Sequence, residues 1–254
     1  MSDKAHEQVV QRQFGERANA YLSSAVHAQG AEFAQLQAAV DGRCDARVLD
    51  LGCGAGHVGF HVAPLVGEVV AYDLSGQMLE VVAAAAAERG LDNLRTERGA
   101  AERLPFADGS FDFVFSRYSA HHWSDLGLAL REVRRVLKPG GTAAFIDVAS
   151  PGSPLFDTHL QAVEVLRDTS HVRDYSVAEW LRQVSEAGLF VDRHARQRLR
   201  LEFDSWIARM RTPDVFRDAI LALQKAVGEE VREYFEITED GSFSTDVLVL
   251  WATR

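Results

Sequence analysis

Three glycines on alternate positions, Gly52, Gly54 and Gly56, follow directly on the apolar run 47–51, in which Asp50 is the single acid. A strand buried on both faces reads as such a run. Glycines behind it let the backbone turn sharply and approach a ligand more closely than any Cβ permits. A helix opening near Gly56 would turn free N–H groups toward an anionic part of that ligand. A second acid, Asp73, ends the apolar segment 69–73 and is placed to accept both hydroxyls of a ribose. Further on, His121 follows another apolar segment, 111–116, at the mouth of the expected pocket, and its imidazole titrates near neutrality, as a general base requires. Asp147 breaks the apolar segment 142–147 at its carboxyl end, 26 residues after His121.

Two cofactor chemistries fit the glycine turn. Gly54-Ala-Gly56-His-Val-Gly59 matches a dinucleotide fingerprint, with Asp73 19 residues beyond Gly54, near the expected place of a ribose-binding acid. Read from Asp50, the frame acid-x-Gly-x-Gly-x-Gly suits S-adenosylmethionine, whose ammonium wants carbonyl and carboxylate acceptors where a dinucleotide carries pyrophosphate. The turn alone leaves both open.

The elements that position these residues alternate as in a doubly wound α/β sheet. Strands are predicted at 47–51, 69–72, 94–98, 111–116 and 142–147, with helices at 58–65, 77–89 and 126–136. Ser75 is a natural N-cap for the second helix, Gly90 a natural stop, and Lys138-Pro-Gly-Gly141 forces the turn into the fifth strand. A helix at 177–187 and long strands at 190–202 and 244–251 follow. One domain is expected, with its core at about 41–150, 176–203 and 237–254. Segments at about 1–40, 151–175 and 204–236 fall outside the alternation and are expected to form a partly helical lid over the carboxyl ends of the strands, excluding water.

The chain has 254 residues, 47% of them hydrophobic, enough for a full core. Its net charge of −10 argues against a duplex nucleic-acid partner. In the one basic run, 193–200, His194, Arg196, Arg198 and Arg200 share a strand face, read as solvated, with an anionic-acceptor clamp as the other reading. Two cysteines suggest no disulfide framework and fit a reducing cytoplasm; Cys53 is read as a small packing residue in the turn. The first twenty residues carry no apolar secretory core, and no run is long enough for a membrane span. His121 and His122 are adjacent, without a cysteine cluster, so no metal is expected, and His122 is read as pointing away from the pocket.

The segments 104–112, 113–123 and 137–141, taken with the glycine turn, make four ordered motifs. In them the chain resembles the class I S-adenosylmethionine-dependent methyltransferases, in the branch of the ubiquinone/menaquinone-biosynthesis-like enzymes, and most closely the YafE-type bacterial proteins. The core resemblance covers about 46–150, and the YafE-type likeness extends over most of the chain, including 118–123 and 169–173. It implies a Rossmann-like sheet whose last strand is antiparallel, and a cytoplasmic enzyme methylating a small molecule, at oxygen or nitrogen rather than carbon, by in-line displacement. It also implies cofactor roles for Asp50, Gly52, Gly54, Gly56, Asp73, Leu74, Met78 against the adenine face, Ala101 and Glu102 at the adenine edge, and the Arg117 carbonyl at the ammonium. Many relatives place an Asp where this chain has Ala100, leaving backbone groups or Glu102 to meet the adenine amino group. Relatives that methylate sugar hydroxyls pair a His with an Asp at the places of His121 and Asp147. Tyr21 is expected either to close over the methionine end of the cofactor or to anchor an amphipathic helix, and His171, Arg173, Tyr175, Trp206, Arg209 and Arg211 are candidates to touch the acceptor. A cofactor-binding sensor without catalysis, then a nicotinamide-dependent oxidoreductase, are the alternative readings.

Overall fold

The computed structural model describes residues 3–15 and 30–254. Strand β1, Arg47–Leu51, is the sequence's apolar run and lies third in a seven-stranded sheet. It pairs in parallel with β2, Glu68–Asp73, on one side and with β4, Phe111–Arg117, on the other. Beyond β2 lies β3, Leu94–Arg98, and beyond β4 lies β5, Leu137–Ala149. The sheet continues through β7, Phe243–Thr253, to the edge strand β6, Phe190–Leu201, in the order β3-β2-β1-β4-β5-β7-β6. β7 runs antiparallel to both neighbours, as the resemblance implied. Strand order reverses between β1 and β4, and such a switch point opens a crevice at the carboxyl ends of the strands.

Helices cover both faces because both carry apolar side chains. On one face Leu49, Val70 and Val114 pack with α5, Leu126–Val136, and α7, Val177–Glu186. Asp125 caps α5 by accepting the Leu128 N–H, and Ser176 with Glu179 forms a reciprocal capping box on α7. On the other face lie α2, Ala31–Val40, and α3, His57–Val62, with Phe33, Leu36, Val58 and Val62 against Val48 and Phe115. Helix α4, Gly76–Glu88, starts on Ser75, whose hydroxyl accepts the Met78 N–H, and stops short of Gly90.

Two differences from the sequence reading have physical causes. The fifth strand begins five residues before Thr142, because the turn 138–141 is itself held in the sheet: Gly140 donates to the Arg254 carbonyl and Arg254 to that of Gly141. A jump in register, from Phe111 opposite Leu137 to Phe113 opposite Thr142, absorbs the extra residues. Second, residues 31–40, expected in the lid, form α2 and bury Phe33, Leu36 and Val40 in the main core; the spacing i, i+3, i+7 of these side chains is an ordinary apolar helix stripe.

Four further helices share an apolar cluster of their own. α6, Pro154–Arg167, α8, Phe203–Met210, α9, Asp214–Ala226, and α10, Glu229–Tyr234, pack Leu160, Val163, Trp206, Ile220 and Phe235 against Leu201 and Phe243. Among the described residues, no helix is long and apolar enough to cross a membrane.

Candidate active site

The crevice at the switch point is a cavity floored by the glycine turn, walled by the ends of β2 and β4, and roofed by His6, Val10 and Phe14 of α1, Asp3–Gly15. Gly52 holds a left-handed φ of 67°, and a Cβ there would lie 1.8 Å from Ser119 Oγ, so only glycine lets the turn pass under Ser119. At Gly54 a Cβ would meet nothing within 4 Å, so the absent side chain leaves the floor of the cavity open. Gly56 stands behind this floor, at the start of α3.

Two carboxylates fix the turn. Asp50, 1% exposed, accepts the Gly59 N–H at 2.8 Å and so ties β1 to the first turn of α3. Burial pushes its carboxyl up to about 7, against the opposing pull of that hydrogen bond. Asp73 accepts from Gly54 N at 2.9 Å through one oxygen and from Ser75 N at 2.8 Å through the other. Burial raises its pKa and these hydrogen bonds lower it, the first effect being larger. Each oxygen keeps a lone pair, and Asp73 lines the cavity, so the acceptor capacity a ribose needs is present.

Asp50, Gly52, Gly54, Asp73, Leu74, Met78, Ala101, Glu102 and Arg117 all line this cavity. Met78 is buried beside Ala55 and Met210. Glu102 spends one oxygen on the Ser124 N–H at 2.7 Å and the Asp125 N–H at 3.2 Å, which anchors it at the entry to α5. The Ala100 carbonyl accepts the Tyr72 hydroxyl at 3.2 Å. The Arg117 guanidinium points to Glu32 of α2, donating from Nε at 2.8 Å and approaching with Nη2 at 2.7 Å. Tyr21 lies outside the described residues.

His121 is not in this cavity. It lines a smaller one beside it, with Glu164 and Arg167 of α6, Asp168, Asp174, and Trp206 and Arg209 of α8. Phe14, Tyr118 and His122 border both cavities. His122 therefore does not point away: the one-turn helix Ala120–His122 carries it between the two spaces, its Nδ1 donating to the Ser170 carbonyl at 3.1 Å. Tyr118 next to it holds a left-handed φ of 52°, a strained conformation outside glycine.

The sequence pair His121 and Asp147 meets directly. Nδ1 of His121 lies 2.6 Å from Asp147 Oδ1, and the His121 N–H donates to Oδ2 at 3.2 Å. Burial disfavours the imidazolium, but the charge and hydrogen bond of Asp147, with Asp174 and Glu164 nearby, outweigh it and raise His121 to about 9. His122 goes the other way, to about 4, through burial and the neighbouring His121 charge.

Of the acceptor candidates, Trp206 and Arg209 line the second cavity; His171, Arg173, Tyr175 and Arg211 do not. The sequence reading missed Glu164, Arg167, Asp168 and Asp174. A signal was present in Leu160, Val163, Glu164 and Arg167: two charged residues at i+4 and i+7 continue the apolar stripe of α6. On β6, Arg196 and Arg198 face solvent and pair with Asp246 of β7 at 3.6 and 3.1 Å. Among the described residues no cluster of three or more His, Cys, Asp or Glu side chains is arranged to hold a metal ion.

The fold and the glycine-floored cavity define an S-adenosylmethionine-dependent methyltransferase, and the chain belongs to the class I family of these enzymes. The family described as "Methyltransferase domain" matches residues 49–145. The chain is 54% identical over 203 residues to "Uncharacterized protein YafE" of Escherichia coli, covering 80% of this chain and 98% of that protein. It is 37% identical over 225 residues to "Uncharacterized methyltransferase YcgJ" of Bacillus subtilis, covering 89% of each. The crystal structure of YcgJ superposes with a TM-score of 0.84 at 36% identity, over 87% of this chain and 97% of that one. The "Demethylmenaquinone methyltransferase" of Chlorobaculum parvum is 36% identical over 117 residues, 46% of each chain.

Proposed function

We propose that the enzyme methylates an oxygen or nitrogen atom of a small molecule held in the second cavity, with His121 taking the proton that must leave. The observation that carries this reading is the shared wall: Tyr118 and His122 border both the glycine-floored cavity and the one that contains His121. A donor in the first and an acceptor in the second are then neighbours. Bound S-adenosylmethionine supplies a methyl group activated on a sulfonium. Asp73 would hold its ribose, the turn at Gly52 and Gly54 would take close backbone contact, and Met78 and Ala101 would face the adenine.

For in-line displacement the chain has mainly to align two reactants and exclude water. Phe14, Tyr118 and Trp206 give the second cavity apolar surface, and α1 covers the first. With Nδ1 engaged by Asp147, Nε2 of His121 is the nitrogen left for the acceptor's proton. A base lifted to about 9 is a strong proton acceptor once neutral, and Asp147 stabilises the imidazolium that forms. Quinone substrates in the names of partial relatives support a small-molecule acceptor. We also propose a cytoplasmic setting, which the two unbridged cysteines favour.

Calorimetric titration with S-adenosylhomocysteine and with NADH tests the cofactor part. Tight binding of the first, lost in Asp73→Ala, is the expected result. Turnover that survives His121→Ala together with Asp147→Ala would remove the base from the mechanism.

A further inference from the structure

Two residues that line the second cavity, Asp168 and Asp174, each have a buried carboxylate oxygen, Oδ2, with no hydrogen-bond partner among the described residues. Both residues are 1% exposed. Asp168 is half used: its Oδ1 accepts the Ser170 N–H at 2.8 Å, the Ser170 hydroxyl at 2.6 Å and Gln13 Nε2 at 3.2 Å. Its other oxygen stops 3.9 Å from His122 Nε2, too far for a hydrogen bond. Asp174 Oδ2 likewise stops 3.9 Å from His171 Nε2, which bonds Gln161 instead at 2.8 Å. Leaving such an oxygen buried and unanswered is costly, and folded chains answer nearly all of them.

Other charges there have described partners: Glu164 is 3.6 Å from Arg167, whose guanidinium also lies over the Trp206 ring, and His121 is held by Asp147 behind the cavity wall. Arg209 of α8 also lines the cavity, and what remains at Asp168 and Asp174 is acceptor capacity that no described donor meets.

Resting on the reading of this cavity as the acceptor site, we infer that the methyl acceptor is a compact polar molecule that presents hydrogen-bond donors, amine or hydroxyl groups, to Asp168 and Asp174. A donor-free ring or a long apolar tail satisfies neither oxygen. Burial raises the Asp174 carboxyl well above its ordinary value, so an amine there would also stabilise the ionised form. Such a group lies on the His121 side of the shared wall, where its proton can be taken.

The test uses the full-length enzyme saturated with S-adenosylhomocysteine and follows thermal stabilisation by millimolar 1,3-diaminopropane, 3-amino-1-propanol, 1,3-propanediol and, as the donor-free control, 1,4-dimethoxybenzene. Stabilisation by the amines or diols but not by the control is expected, the stronger series telling amine from hydroxyl. Asp174→Asn and Asp168→Asn keep the side-chain shape, and each should weaken that response about tenfold, the size of one charge-assisted hydrogen bond, with S-adenosylhomocysteine affinity unchanged. Response to none of the donors, equal response to the control, or full response in both variants would overturn the inference while leaving cofactor binding intact. Failure of the wild type to bind S-adenosylhomocysteine would instead strike the cofactor reading.

Discussion

His121 Nδ1, just beyond the carboxyl end of β4, lies 2.6 Å from Asp147 Oδ1 near the carboxyl end of the neighbouring β5, beside the glycine-floored cavity. The contact raises His121 to about 9, so the imidazole is charged at neutral pH and becomes a base as pH rises. kcat/KM should therefore climb along an acid limb that reflects loss of this proton. In Asp147→Asn the main upward pull is gone and burial prevails, so the limb should move down by about two units or more. Its plateau should fall roughly ten- to a hundredfold, because the ring is no longer held. A pH–rate profile of both proteins with one acceptor decides this; a limb that stays in place would exclude His121 as the base.

The Gly52 turn is a steric requirement as well as a proposed cofactor contact. Gly52→Ala puts a methyl group 1.8 Å from Ser119 Oγ and 2.6 Å from Ser119 Cβ, at a φ of 67°. The cost should be about 1–3 kcal/mol in denaturant unfolding, with weaker S-adenosylhomocysteine binding. Ser119→Ala cannot relieve it, because the Cβ contact remains, whereas Ser119→Gly in the same chain should recover most of the loss. Equal stability of the two double variants would show that the clash is not with Ser119.

Arg117 and Glu32 form an ion pair with side chains 5% and 6% exposed, at the end of β4. Removing Glu32 takes its carboxylate from a buried guanidinium, so Glu32→Ala should cost about 3–5 kcal/mol. Replacing both, as Glu32→Gln with Arg117→Met, should cost less than the single change. Urea midpoints of the wild type and the two variants check the ordering.

The central sheet was legible because its signals are local. The run 47–51 is β1 residue for residue, and residues 126–136 are α5, bounded by Asp125 and by the turn into β5. The glycine-floored cavity follows the same logic: the strand ends carrying Asp50, Asp73 and Arg117 follow from the alternation, and the fold brings them together. The second cavity was not. Its charged residues come from α6, the loop at 168–174 and α8, which meet only when their shared apolar cluster forms, and no local period encodes that packing. His122 was misread because a one-turn helix fixes its direction, where neither strand nor helix period applies.

His159, on the buried side of α6, gives the fold an acid weakness that can be removed without touching either cavity. Neither ring nitrogen has a hydrogen-bond partner among the described residues, and the ring packs 5.1 Å from that of Phe235. Burial lowers its pKa from the ordinary 6.5 to about 4. Below 6.5 the unfolded chain takes up a proton that the folded chain refuses until about 4, so stability is lost progressively as pH falls through that window. The loss attributable to this residue is on the order of 1–3 kcal/mol. His159→Leu fills a similar space in the same apolar cluster and cannot be protonated. Its unfolding free energy should therefore fall less steeply between pH 6.5 and 4 than that of the wild type, with the two proteins differing least above 7. Parallel curves across this range would mean that His159 is protonated as readily in the folded chain as in the unfolded one.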